Sequence, residues 1–141
     1  MMSFTVFRQV YQTIGRLPAE QGGILGTARD VICRFYFDTD GRNSDSVYCP
    51  NAKRINTILE EWANEGITFC GVIHSHPKGD HELSFKDLEF GRAILKDNPH
   101  LKCVFFPIVY CTPDTAMLQI MPYVIKPRGI TIASFYLSNQ I

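Results

Sequence analysis

Gly71-Val72-Ile73-His74-Ser75-His76-Pro77, followed by Ser84 and Asp87, is the stretch on which both fold and chemistry turn. It sets out His-x-His, ten intervening residues and then Asp. The apolar or small residues from Cys70 to Ile73 predict the end of a buried strand. Residues two apart on a strand face the same side, so His74 and His76 can present both imidazoles to one point. Pro77 ends the strand, having no N–H to donate to a ladder. Two His and one carboxylate form a common catalytic-zinc ligand set that leaves a fourth tetrahedral position for water.

Outward from this segment, residues 67–76 read as the strand that carries the pair and 78–83 as a short polar loop. Residues 84–96 read as a helix with Phe85, Leu88, Phe90, Ala93, Ile94 and Leu95 supplying its apolar positions, closed by Asn98-Pro99. On the N-terminal side, 51–64 place Ile55, Ile58, Leu59 and Trp62 on one helical face, and Gly66 stops that helix. Before it, 38–50 are polar and turn-rich and predict a loop. Two apolar runs, 22–28 and 31–37, joined at Arg29-Asp30, predict a β-hairpin. Gly22-Gly23 either admits a close neighbour or merely turns; both readings are open. Residues 5–16 are read as a helix, with Val6, Phe7, Val10, Tyr11, Ile14 and Leu17 at helical spacing and Gly15 and Pro18 at the end.

Downstream, 101–111 predict a strand in which Pro107 implies an edge or a bulge. Thr112-Pro113-Asp114 is turn chemistry, 116–125 return as a strand, and 126–129 turn into a last run, 130–137. Helices interleaved with strands around one sheet give an α/β layered domain. With 141 residues the chain fits one domain, 1–141, able to bury a sizeable core.

Fourteen basic and fourteen acidic residues cancel, so there is no electrostatic footprint for nucleic acid or an anionic membrane. No run approaches the ~18 consecutive apolar residues of a membrane span. The first ten residues lack the layout of a signal peptide. Five Cys, an odd number with no C-x-x-C pair, argue against a disulfide framework and for a reducing cytoplasm.

Each candidate residue also has a plain reading. The His pair by itself is read equally as hydrogen-bonded core histidines or as metal ligands. Ser84-Phe85-Lys86-Asp87 fits the helix capping box, and Asp in a first helical turn suits the helix dipole. Both readings can hold at once; beside the His pair, Asp87 is the expected ligand. Glu20, taken alone, reads as a solvated residue that matters only if the following strand carries it to the metal. His81 and His100 sit in polar loops and read as solvated. Asp38, Asp40 and Asp45 lack the spacing of a calcium loop. The signatures of zinc deaminases, H-E-x-x-H zincins, P-loops and G-x-S-x-G hydrolases do not occur.

Glu20-Gln21-Gly22-Gly23-Ile24-Leu25-Gly26, then Gly71 to Pro77, then Ser84-x-x-Asp87, resembles the JAB/MPN family with a complete JAMM metalloprotease signature. The resemblance covers roughly residues 3–125 and rests on several separated elements matching in order and spacing. It implies a three-layered α/β domain like the cytidine-deaminase fold, with a central mixed sheet flanked by helices. It implies one zinc ion per chain on His74, His76 and Asp87, with water as fourth ligand. Glu20 would be the general base and Ser84 would help stabilise the oxyanion. Ser75, pointing to the opposite face, is expected to support or pack. The implied reaction is hydrolysis of a peptide or isopeptide bond after the C-terminal tail of a ubiquitin-like protein. The loops at 38–50 and 78–83 are modest, which favours a simple ubiquitin-like or peptide substrate over a particular polyubiquitin linkage. A non-catalytic MPN-type scaffold and a zinc hydrolase of small amides are the alternatives; scaffolding members typically lack part of the metal set kept here.

Overall fold

The computed structural model describes residues 1–17, 20–39, 42–44, 47–111 and 117–139. Among them, ten strands form one mixed sheet and two more form a separate hairpin. The strand carrying the His pair, β6 (Thr68–Ser75), lies in the middle of that sheet. It runs antiparallel to β2 (Gly22–Ala28) and parallel to β7 (Val104–Phe105) and β8 (Ile108–Cys111). Next to β2 comes β3 (Val31–Phe37), completing the expected hairpin. Its two-residue turn holds Arg29 and Asp30 at φ 51° and 64°, the left-handed pair that matches strand twist.

Alternation along these strands sorts the core into two layers. Ile24 and Val72 pack on one face with Ile58 and Trp62 of α2 (Ala52–Asn64) and Leu95 of α3 (Phe85–Asp97). Leu25 and Ile73 pack on the other with Val6 and Val10 of α1 (Phe4–Gln12). The result is helix, sheet, helix pair: the expected three-layered α/β domain. Each helix starts on a side-chain cap that answers an orphan N–H: Ser3 for Val6, Asn51 for Arg54 and Ser84 for Asp87. Gly66, at φ +75°, ends the segment after α2 as expected.

Four local expectations are corrected. The 38–50 loop contains a hairpin of β4 (Arg42–Ser44) and β5 (Val47–Cys49), whose short strands alternate too little to stand out from a polar sequence. The 101–111 strand is two strands, because Pro107 has no N–H; the chain changes partner there, from β10 (Tyr123–Lys126) alongside β7 to β9 (Leu118–Met121) alongside β8. Pro122 likewise divides β9 from β10. The final run, 130–137, is β11 (Gly129–Ile132) and β12 (Leu137–Ser138), and β12 pairs in parallel with β1 (Met2–Ser3), a strand too short to carry a pattern. The turn expected at 112–114 lies outside the described residues. No helix of the described residues is long and apolar enough to cross a membrane.

Candidate metal centre

Strand register assembles the site. Gly22 pairs with His74, and Gln21 meets Ser75 through Ser75 N–H to Gln21 O at 2.8 Å. Continuing that register brings Glu20 opposite His76. Glu20, which alone reads as solvated, is buried at 6% exposure, beside His74 at 2% and His76 at 5%. The two imidazoles face Asp87 of α3, and the His74 ring stands edge-on to Phe106, between β7 and β8. Asp87, in the first turn of α3, closes the fourth side.

The donor atoms converge. His74 Nε2 and His76 Nε2 are 2.8 Å apart. Asp87 places Oδ1 3.1 Å from His74 Nε2 and Oδ2 3.2 Å from His76 Nε2. Donors on a tetrahedron with metal–ligand bonds of ~2.0–2.1 Å lie about 3.3 Å apart, so these three side chains have the spacing of one coordination sphere. Glu20 Oε1 is further out, 3.9 Å from His76 Nε2. Glu20, His74 and His76 form a buried group whose ligand atoms all lie within 4.8 Å of one another and which could hold a metal ion.

The chemistry of the donor set fits a cation. Two ring nitrogens facing each other cannot both offer lone pairs without repulsion; a proton or a metal ion must lie between them and the carboxylates. Without metal, the charges adjust accordingly. Burial favours the neutral form of Asp87, but the His74 and His76 rings and the Ser84 N–H outweigh it and hold its carboxyl well below the usual carboxylate range. Burial opposes a charge on His76, yet Asp87, Glu20 and Asp80 together raise its pKa. For Glu20 burial wins over the attraction of the histidines, and its pKa is raised.

Ser84 is exposed and joins the cluster through Asp87. Its Oγ accepts the Asp87 N–H at 3.1 Å, and its own N–H donates to Asp87 Oδ2 at 2.8 Å. The capping box and the site therefore coexist in one carboxylate: Oδ2 faces both the Ser84 N–H and His76. Ser75 does have the expected supporting role, since its Oγ accepts the Gln21 N–H at 3.0 Å. His81 and His100 are exposed and stand apart from the cluster.

Three residues escaped the sequence reading. Tyr48 donates its backbone N–H to Glu20 Oε2 at 3.0 Å. Asp38, fully buried, accepts the Tyr48 hydroxyl at 2.7 Å. Asp80 Oδ2 lies 3.4 Å from His76 Nδ1. The available signal was an aromatic followed by Cys-Pro inside an otherwise polar stretch. Tyr48 also resolves the Gly22-Gly23 question, for a Cβ on Gly22 would lie 2.5 Å from the Tyr48 ring.

Beside His74 and Asp87 lies a hollow of about 210 Å³ lined by Tyr48, Pro50, Lys86, Phe90 and Phe106. Tyr48, Pro50 and Phe90 also line a mainly apolar groove of about 720 Å³ between α2 and α3. The two spaces share these three residues as walls.

No protein-family model and no curated protein sequence matches the chain. Solved structures do. Protein DSY2949 from Desulfitobacterium hafniense is similar at a TM-score of 0.78 and 18% identity, over 99% of this chain and 93% of that one. AF2198, a JAB1/MPN domain protein from Archaeoglobus fulgidus, is similar at a TM-score of 0.56 and 16% identity, over 97% and 95%. At such identities the likeness is one of fold: the chain has the α/β fold of a JAB/MPN domain.

Proposed function

We propose that the chain is a JAMM-type zinc metalloprotease of the JAB/MPN family that hydrolyses a peptide or isopeptide bond after the C-terminal tail of a ubiquitin-like protein. The observation that carries this reading is the convergence of His74 Nε2, His76 Nε2 and both Asp87 oxygens at 2.8–3.2 Å, with Glu20 Oε1 standing just outside at 3.9 Å. His74, His76 and Asp87 hold the zinc, one ion per chain. When bound, zinc supplies Lewis acidity and acidifies a coordinated water to a pKa of about 7.

Glu20 is the general base. Its Oε2 is tethered by the Tyr48 N–H, and Oε1 faces the cluster. Burial raises its pKa, which makes the carboxylate a stronger base than a solvated one. It takes a proton from the attacking water and returns it to the departing amine, a role typically worth ~10²–10⁴-fold. Ser84, at the N-terminus of α3, stabilises the oxyanion, a contribution of about 3 kcal/mol. The mainly apolar groove between α2 and α3, which shares Tyr48, Pro50 and Phe90 with the hollow beside His74, supports an extended tail as substrate over a compact amide. The cysteines described are free, which fits a cytoplasmic setting.

The test is metal analysis combined with turnover. Purified protein should carry about one zinc per chain. Glu20→Gln should keep the zinc and lose cleavage of ubiquitin-like fusions by a hundredfold or more, at roughly the scale of general-base catalysis. His74→Ala should lose both. A protein that never takes up metal, or a Glu20→Gln variant at wild-type rate, sinks the proposal.

A further inference from the structure

Asp38 has no place in the site itself, yet it is a fully buried carboxylate, and burying a carboxylate carries a cost. Its Oδ2 accepts the Tyr48 hydroxyl at 2.7 Å and the Asn51 N–H at 2.8 Å, and its own N–H donates to Gly22 O at 3.0 Å. Tyr48 is thereby held at both ends. Its hydroxyl is on Asp38, its N–H is on Glu20 Oε2 at 3.0 Å, and its ring packs against Gly22 between them. Gly22 is in turn the residue that pairs with His74.

We infer that Asp38 and Tyr48 form a strut that positions the Glu20 carboxylate. The terminal torsion of a glutamate is broad, so burial alone does not choose which oxygen faces the cluster. A donor fixed on Oε2 does choose, and it leaves Oε1 pointing to His76. The charge-assisted bond from the Tyr48 hydroxyl to Asp38 is the stronger kind, and it keeps the residue-48 N–H in place. Asp38 is a positioning residue: it acts on the base only through Tyr48. The catalytic consequence rests on the reading of Glu20 as base; the strut itself does not.

The experiment follows the residue-48 amide by NMR in ¹⁵N-labelled protein. Glu20→Gln replaces the charged acceptor and marks the direction in which this amide proton moves when it loses the carboxylate. Tyr48→Phe keeps the ring and the N–H and removes only the hydroxyl. The strut predicts that Tyr48→Phe shifts the residue-48 amide in the same direction as Glu20→Gln and speeds its hydrogen exchange roughly tenfold, with metal content unchanged. An amide that moves in Glu20→Gln but keeps its wild-type shift and exchange in Tyr48→Phe overturns the strut and leaves Asp38 as an anchor for α2 alone. Asp38→Asn should repeat the Tyr48→Phe result; should that variant not fold, Tyr48→Phe decides by itself. On a cleavable ubiquitin-like fusion, Tyr48→Phe should lower kcat roughly tenfold, with the smaller change in KM. A wild-type kcat there counts against the strut. If the wild-type protein cleaves nothing, the hydrolase reading fails and the amide readout still decides the strut.

Discussion

Ser75 holds Gln21 by both of its polar handles: its backbone N–H donates to Gln21 O at 2.8 Å, and its hydroxyl accepts the Gln21 N–H at 3.0 Å. The residue between the two histidines thus clamps the residue after Glu20, on the sheet face opposite the donor atoms. Entry into β2 is fixed relative to the end of β6, and Glu20 with it.

Ser75→Ala removes that acceptor from the partly buried Gln21 N–H. The expected loss is about 1 kcal/mol, or 2–4 °C in Tm. Ser75→Thr, which keeps the hydroxyl, should recover most of it. Thermal unfolding of the two variants checks this, and equal losses in both would refute the clamp.

Glu20→Gln should stabilise the metal-free protein. Burial raises the folded pKa of Glu20 above the unfolded value of about 4.3. The ionised form is therefore disfavoured by folding, and the penalty grows as pH rises from the unfolded towards the folded pKa. Melting curves in chelator should show the variant above wild type at pH 7–8, with the gap closing towards pH ~4. A gap that widens on acidification would reverse the assignment.

His76 and Asp87 pull in opposite directions along the pH axis. The raised pKa of His76 contributes stability that is present below its unfolded value of about 6.5 and is lost as pH rises through the folded pKa. The lowered pKa of Asp87 contributes stability present above about 3.9 and lost as pH falls towards the folded pKa. Without metal, the pair is strongest between roughly pH 4 and 6.5. Asp87→Asn should flatten both limbs of the stability–pH curve, as followed by denaturant titration across that range. An unchanged curve would show that the pair is not coupled.

Arg29 and Asp30 form the β2–β3 turn with both φ values positive, a conformation that costs non-glycine residues energy. Arg29→Asn with Asp30→Gly should relieve about 1 kcal/mol and raise Tm by 2–4 °C. The site lies at the other end of β2, so zinc content should not change. A fall in Tm would mean that the two side chains make compensating contacts.

Much of this molecule was legible in its sequence because the relevant physics is local. Period-2 alternation placed His74 and His76 on one side of β6 and Ser75 on the other. Apolar stripes marked α1, α2 and α3, and Ser84-x-x-Asp87 announced the start of α3. Pro107 was visible as a disturbance, though its effect, a change of strand partner, was not. That outcome depends on β9 and β10 being there to receive the two halves.

What only the tertiary structure decided is how distant segments meet. Glu20 has no local reason to be buried; it is so because the Gly22–His74 register and the Ser75–Gln21 bonds carry it beside His76. Asp38 and Tyr48 belong to a stretch whose polar composition predicts a loop, and their roles exist only through long-range contacts with Gly22 and Glu20. Spacing along a chain determines which side of its own strand or helix a residue takes. Which carboxylate then reaches which imidazole is settled by strand register and by packing across the sheet.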